Sequence, residues 1–312
     1  MITTRQLVRR FGDQEAVAGV DLDVPAGEIY GFLGPNGAGK STTVRMLCTL
    51  LSITGGEATV AGFDVATQPG EVRLRIGVAL QEASLDPKQT GRELLNLHAR
   101  LYGLSKSDAT RRVAELERLV DIGDALDRRI GGYSGGMRRR LDLAASLLHE
   151  PNILFLDEPT TGLDPVSRAA VWEEVRRLNT ELGMIIFLTT QYLEEADELA
   201  HRVGIINDGK IVAEGTPAEL KRRVGADVVV ASISGDATAA CAALRDVDGV
   251  SSVEQHGDEL TIAVDDGPAL LSPVAVALSS QNVKVLGLTL RTPTLDDVFL
   301  DVTGNRMKAS AA

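Results

Sequence analysis

The segment GPNGAGKST (Gly34–Thr42) holds glycine, lysine and serine at the spacing G-x-x-x-x-G-K-[ST]. Glycines in such a run let the backbone wrap closely around an anion. Successive amide N–H groups, and the N-terminus of a following helix, then converge on phosphate oxygens. Gly34, Pro35, Asn36, Gly37, Ala38 and Gly39 supply the wrap, and Lys40 is expected to reach the terminal phosphates of a nucleotide. The Ser41 hydroxyl, with Thr42 beside it, is expected in the shell of a phosphate-bound Mg2+. A second segment, ILFLDEP (Ile153–Pro159), sets adjacent carboxylates after an apolar run. Asp157 suits Mg2+, directly or through water, and Glu158 suits a general base that polarises an attacking water. Together the two segments specify transfer of a terminal phosphoryl group to water.

Two further stretches bear on the same chemistry. YSGGM (Tyr133–Met137) precedes the helical pattern RRRLDLAASLL, so Ser134, Gly135 and Gly136 can offer a hydroxyl and amide groups at a helix N-terminus. A chain with one phosphate loop has no obvious need of a second anion cradle, unless that cradle closes over the nucleotide of another subunit. IIFLTTQYLEEADELA (Ile185–Ala200) runs from four apolar residues through two threonines to Gln191. A buried strand that ends in a polar side chain aims that side chain at something.

These residues need strands and helices to position them. EIYGFLG, RIGVALQ, NILFLDEP and MIIFLTTQ are nearly continuous apolar runs, as strands covered on both faces must be. Helical patterns lie between them, and RELLNLHARLYGL with ATRRVAELERLVDIGDAL predicts a mostly helical insert over about residues 90–135. GIINDGKIVAEG reads as a hairpin turning at Asp208-Gly209. TPAELKRRVG reads as a closing helix, capped by Thr216, with Pro217 at its first position and Gly225 at its end. Beyond Gly225 the order strand, helix, hairpin around His256-Gly257, helix, strand is the ferredoxin-like β-α-β-β-α-β pattern. The expected division is therefore 1–224, an α/β domain, and 225–312, a small α+β accessory or regulatory domain.

Composition narrows the class. The 312 residues are 44% apolar and carry a net charge of −12. The acidity is uneven, with twelve acids against five bases from Gly225 onward. It argues against a nucleic-acid partner. No run of eighteen apolar residues occurs, and the N-terminus lacks an apolar signal core, so the chain is expected to remain in the cytoplasm. Cys48 and Cys241 read as small core hydrophobes, and the four histidines show no metal-ligand spacing.

Over about 220 residues, and in the same motif order, the chain resembles the ATP-binding cassette (ABC) family. The resemblance implies an α/β P-loop NTPase fold of the ABC type with a helical subdomain, binding ATP and Mg2+. It matches the family's adenine-stacking aromatic to Phe11 and its Mg2+-sensing glutamine to Gln81 in GVALQEA. The family signature matches YSGGM, with Tyr133 and Met137 where leucine and glutamine are usual, and its D-loop matches GLDP (Gly162–Pro165), with Asp164 facing a partner subunit. TPTLDDVFLDVTG (Thr292–Gly304) and the segment around TTQYLEEAD are similar to the drug-exporter branch typified by daunorubicin-resistance ATP-binding proteins.

The resemblance implies an ATPase that works as a homodimer, or paired with a second ABC subunit. It would sit peripherally on the cytoplasmic face of the cell membrane and drive an integral membrane permease that exports a hydrophobic drug or lipid-like molecule. The permease contact is expected near Gln81–Thr90 and the helical insert. Gln191 stands where the family places a histidine that contacts the γ-phosphate. A glutamine amide still donates a hydrogen bond but cannot carry charge, a loss of about 1–2 kcal/mol, or about five- to thirtyfold in rate. Two readings follow: a working if slowed ATPase, or a regulatory cassette in which ATP binding is the switch. The intact Lys40, Asp157, Glu158 and Ser134 favour the first. A DNA-directed cassette would need a long coiled-coil insert, and a translation-factor cassette two motif sets in one chain; neither pattern occurs.

Overall fold

The strands β3 (Ile29–Leu33), β7 (Ile153–Asp157) and β8 (Ile185–Thr190) are buried at every residue. Their side chains alternate between two cores, as the two-residue period of a strand requires. Tyr30, Phe32, Ile153, Phe155, Ile185 and Phe187 face one core; Ile29, Leu154, Leu156, Ile186 and Leu188 face the other. The computed structural model of the chain describes residues 1–80, 85–119, 123–235, 237–257, 259–281 and 283–304.

The chain forms two compact units, one of which runs Met1–Pro217 while the other begins at Ala218. In the first unit, β3, β8, β7 and β6 (Ile76–Ala79) pair in parallel, and β9 (Arg202–Asn207) joins the other side of β3 in parallel. β10 (Lys210–Gly215) completes the six-stranded order β10-β9-β3-β8-β7-β6 through an antiparallel hairpin. That hairpin turns at Asp208-Gly209, both with positive φ (47° and 76°), the tight-turn geometry the sequence predicts.

A second, antiparallel sheet of order β2-β1-β4-β5 was not legible in the sequence. It comprises β1 (Ile2–Phe11), β2 (Gln14–Val24), β4 (Gly55–Val60) and the short β5 (Phe63–Asp64). Register shifts within β1 break its alternation, which is why no strand pattern shows there. Ile2, Leu7, Val20, Val24 and Val60 share a core with α1 (Lys40–Leu47) and one face of the six-stranded sheet. The short α2 (Pro69–Arg73) leads into β6.

The other face is covered by helices. α3 (Gly91–Leu101) and α4 (Lys106–Leu119) form the predicted helical insert, followed by two 3-10 turns and then α5 (Gly135–Leu147). Thr90 and Glu93 close a capping box on α3. α6 (Pro165–Leu182) and α7 (Leu193–Leu199) flank β8 in sequence. Leu95, Leu116, Leu126, Leu141, Val175 and Leu178 tie these helices to the sheet.

α8 (Pro217–Val224) spans the division between the units. The second unit then runs β11 (Asp227–Ser234), α9 (Ala237–Arg245), β12 (Val250–His256), β13 (Glu259–Val264), α10 (Gly267–Ser280) and β14 (Lys284–Arg291). Its sheet order, β12-β13-β11-β14 with every pair antiparallel, is the ferredoxin-like topology. Val229, Ala231, Leu260, Ile262, Val274 and Leu278 form its core. α11 (Leu295–Thr303) follows, with a Thr294/Asp297 capping box. Both cysteines are free and buried.

Candidate functional site

Strand register alone brings the motifs together. Leu33 pairs with Thr190 and Asp157 with Thr189. The chain therefore leaves β3 at Gly34, β8 at Gln191 and β7 at Glu158 side by side on the carboxyl edge of a parallel sheet. That edge is where open α/β sheets place their ligands.

The turn from β3 into α1 has little freedom. Gly39 caps α1 at φ 110°, and a Cβ there would lie 2.5 Å from Ala16 O. A Cβ on Gly34 would lie 2.4 Å from Ile206 O. Backbone packs too closely at both positions for any side chain. The Lys40 ammonium folds back inside the turn, 2.7 Å from Gly34 O and 3.3 Å from Pro35 O. It also lies 3.6 Å from Glu158 Oε1, and both side chains are under 10% exposed. Burial pushes the Lys40 ammonium below its usual range, while Glu158 and Asp157 pull it back up. An anion entering the turn competes with Glu158 for this ammonium.

The carboxylates are held from below. Ser41 Oγ lies 3.2 Å from Asp157 Oδ1. Thr189 donates its hydroxyl hydrogen to the same oxygen. The Glu158 amide donates to both Thr189 O, at 3.0 Å, and Thr189 Oγ1, at 3.1 Å. Those bonds hold Glu158 at φ 47°, a left-handed backbone unusual for a residue with a side chain. Thr189 is thus a positioning residue that the motif reading passed over. Its signal was the polar pair ending an otherwise apolar strand.

Pro35, Asn36, Gly37, Gly39, Lys40, Ser41, Thr42, Glu158 and Gln191 line one cleft of about 320 Å³. The Gln191 amide makes no hydrogen bond to a described residue and is half-buried at the cleft wall. The convergence of the Ser41 hydroxyl and the buried Asp157 carboxylate is an all-oxygen donor set, which suits a hard cation such as Mg2+. Ser41 and Asp157 would hold it, and it would supply neutralisation of charge on the phosphates. Gln81 lies outside the described residues.

Other predicted residues sit apart. Ser134 caps α5, its Oγ accepting from the Met137 amide at 3.2 Å, and Ser134 and Gly135 are exposed. Neither they nor Gly136 line the phosphate cleft. Tyr133 turns inward, buried, with its hydroxyl donating to Ala125 O. Met137 packs on the helical core. Asp164 caps α6, its carboxylate accepting from the Ser167 amide at 2.9 Å and the Ser167 hydroxyl at 2.7 Å; these bonds hold it below the usual carboxylate range. Phe11 ends β1, half exposed, with the Arg9 guanidinium 4.5 Å from its ring centre, and it does not line the cleft.

Comparison with known proteins identifies the family. Residues 17–161 match the family model described as ABC transporter, and residues 215–303 match that of the ATP-binding protein DrrA1-3-like C-terminal domain. The chain is 47% identical to the daunorubicin resistance ATP-binding protein DrrA2 of Streptomyces coeruleorubidus, covering 100% of this chain and 97% of that protein. It is 38% identical to the Nod factor export ATP-binding protein I of Burkholderia orbicola, over 98% of each. A solved ATP-binding subunit of an ABC transporter superposes with a TM-score of 0.65 at 28% identity, covering 72% of this chain and 92% of that one. The chain belongs to the ATP-binding proteins of ABC transporters. It is an ATPase of that family, with a P-loop NTPase domain followed by a DrrA1-3-like C-terminal domain.

Proposed function

We propose that this chain is the ATP-hydrolysing subunit of an exporter, working as two cassettes that close around two ATP·Mg2+. Each nucleotide lies between the phosphate loop of one chain and the Ser134–Gly136 cradle of the other. Lys40 and the Gly34–Gly39 amides hold the phosphates, Ser41 and Asp157 hold Mg2+, and Glu158 polarises the attacking water. Gln191 donates its amide hydrogen to the γ-phosphate. The observation that carries this reading is the separation of the cradles. The phosphate cleft contains Lys40, Glu158 and Gln191 but none of Ser134, Gly135 or Gly136, which stand at a different helix N-terminus. Asp164 is exposed beside the second cradle through Ser167, which supports its facing the partner chain in this reading.

A separate integral membrane permease converts closure into transport, which puts this chain on the cytoplasmic face of the membrane as a peripheral subunit. Among the described residues no helix is long and apolar enough to cross a bilayer. An apolar groove with Leu50, Val78, Leu80, His98 and Tyr102 in its walls supports the expected permease contact, since it reaches Leu80 and takes in α3. The cargo is a hydrophobic drug or lipid-like molecule. Relatives of the same length are named for daunorubicin resistance and for Nod factor export. That spread fits cargo selection by the permease.

The test is Mg2+-dependent phosphate release from ATP by the purified chain over a range of protein concentrations, beside Glu158→Gln. Specific activity that climbs with concentration and disappears in the variant is expected. Specific activity independent of concentration would sink the two-chain site. ATP binding without release, in the presence of the permease as well as alone, would instead identify a regulatory cassette.

A further inference from the structure

One buried carboxylate near the cleft has no part in the chemistry above. Glu195, in α7, is completely buried. Its Oε1 accepts from Thr160 Oγ1 at 2.8 Å and from Trp172 Nε1 at 3.0 Å, while Oε2 has no well-formed hydrogen bond among the described residues. Desolvation pushes its pKa up, against the pull of its hydroxyl and indole partners and of Arg168. A buried polar group is expensive unless it is bonded, so a carboxyl kept here must do something that an apolar residue would not. What it does is visible in its partners. Thr160 lies two residues after Glu158, Trp172 is in α6, which Asp164 caps, and Glu195 itself lies four residues after Gln191.

We propose that Glu195 is a positioning residue that joins the Glu158, Gln191 and Asp164 segments into one rigid body. Movement of α6 when a partner chain engages Asp164 is then transmitted through Trp172 and Thr160 to Glu158, and through α7 to Gln191. The surface contacts between the same helices cannot replace it. Arg168 lies 3.8 Å from Glu194 and 4.8 Å from the Tyr192 ring centre, and Arg176 pairs with an exposed Glu198. Such pairs are weak and screened. The inference rests on the roles proposed for Glu158, Gln191 and Asp164.

Trp172 is the single tryptophan of the chain, so its emission reports on this junction directly. In full-length Glu158→Gln protein, addition of ATP·Mg2+ is expected to change that emission. The response is expected to persist when Glu195→Gln is added, because the acceptor oxygen remains, and to vanish with Glu195→Leu. In the otherwise wild-type chain, Glu195→Leu is expected to lower kcat by about tenfold or more with KM for ATP within about twofold, and Glu195→Gln to restore kcat to within about twofold. Thr160→Val is expected to lower kcat less, and to add nothing on top of Glu195→Leu. A folded Glu195→Leu chain with wild-type kcat and an unchanged emission response would overturn the proposal. If that variant does not fold, unchanged kcat and emission response in Thr160→Val would do the same. Persistent hydrolysis by Glu158→Gln would instead overturn the underlying assignment of the base, which keeps the two failures distinct.

Discussion

The N-termini of α1 and α5 both follow small residues and both offer amide groups to an anion, yet they are built differently. At α1 the backbone is clamped at Gly34 and Gly39, and Lys40, Asp157, Glu158 and Gln191 arrive from three adjacent strand ends. At α5 the Ser134 hydroxyl is engaged in its own helix cap, Gly135 and Gly136 leave room for a Cβ in ordinary contact, and the nearby Tyr133 side chain points into the core. One gathers charged side chains around a helix end, and the other presents a helix end without them. The difference teaches that strong anion binding needs convergent charge as well as a helix end, and in the two-chain site proposed above α5 takes that charge from the partner chain.

Substitutions at each end can break that contrast. Glu158→Gln is expected to have the largest effect, lowering turnover by about 10²–10⁴-fold with ATP binding retained, as measured by phosphate release beside nucleotide titration. Lys40→Ala removes the charge that makes α1 a phosphate site. ATP affinity is expected to fall about ten- to hundredfold, read by calorimetry, from loss of about 1.5–3 kcal/mol of charge-assisted bonding. Gln191→His is expected to raise turnover about five- to thirtyfold by restoring a donor that can carry charge; no change, or a fall, would show the glutamine to be fully competent. Ser134→Ala is the mildest. It is expected to cost about 1 kcal/mol of stability through the lost cap, seen in a melting curve, and to leave ATP binding by the single chain unchanged. A weakened affinity in that variant would place α5 at the nucleotide of its own chain and erase the contrast.

How much of this was readable beforehand differs by element. Gly34–Thr42, Asp157 and Glu158 announce themselves, because a loop that must approach phosphate tolerates few residue types and its flanking strands are uniformly apolar. The ferredoxin-like order of the second unit was readable for a related reason, since β13 alternates between core and surface and β11 sends every second residue, Val229, Ala231 and Ile233, into the core. The antiparallel sheet was not, because the bulges of β1 scramble its alternation. Nor were Thr189 and Glu195. A polar residue in a buried run carries no label for its partner, and only the pairing of β7 with β8 supplies Asp157 to the first, and the packing of α6 on α7 Trp172 to the second.

The pairing of Leu33 with Thr190 has a consequence for how the molecule comes into being. The first motif to leave the ribosome cannot become a site until a strand near the far end of the same unit has inserted beside it. Central parallel pairing between such distant segments is slow to form, because the intervening chain must be closed into a loop before any contact rewards it. Nucleotide binds only the completed arrangement, and so adds to the stability of the folded chain by mass action. In a cell well supplied with ATP, the substrate of this ATPase would also help to hold the newly made protein in its native form.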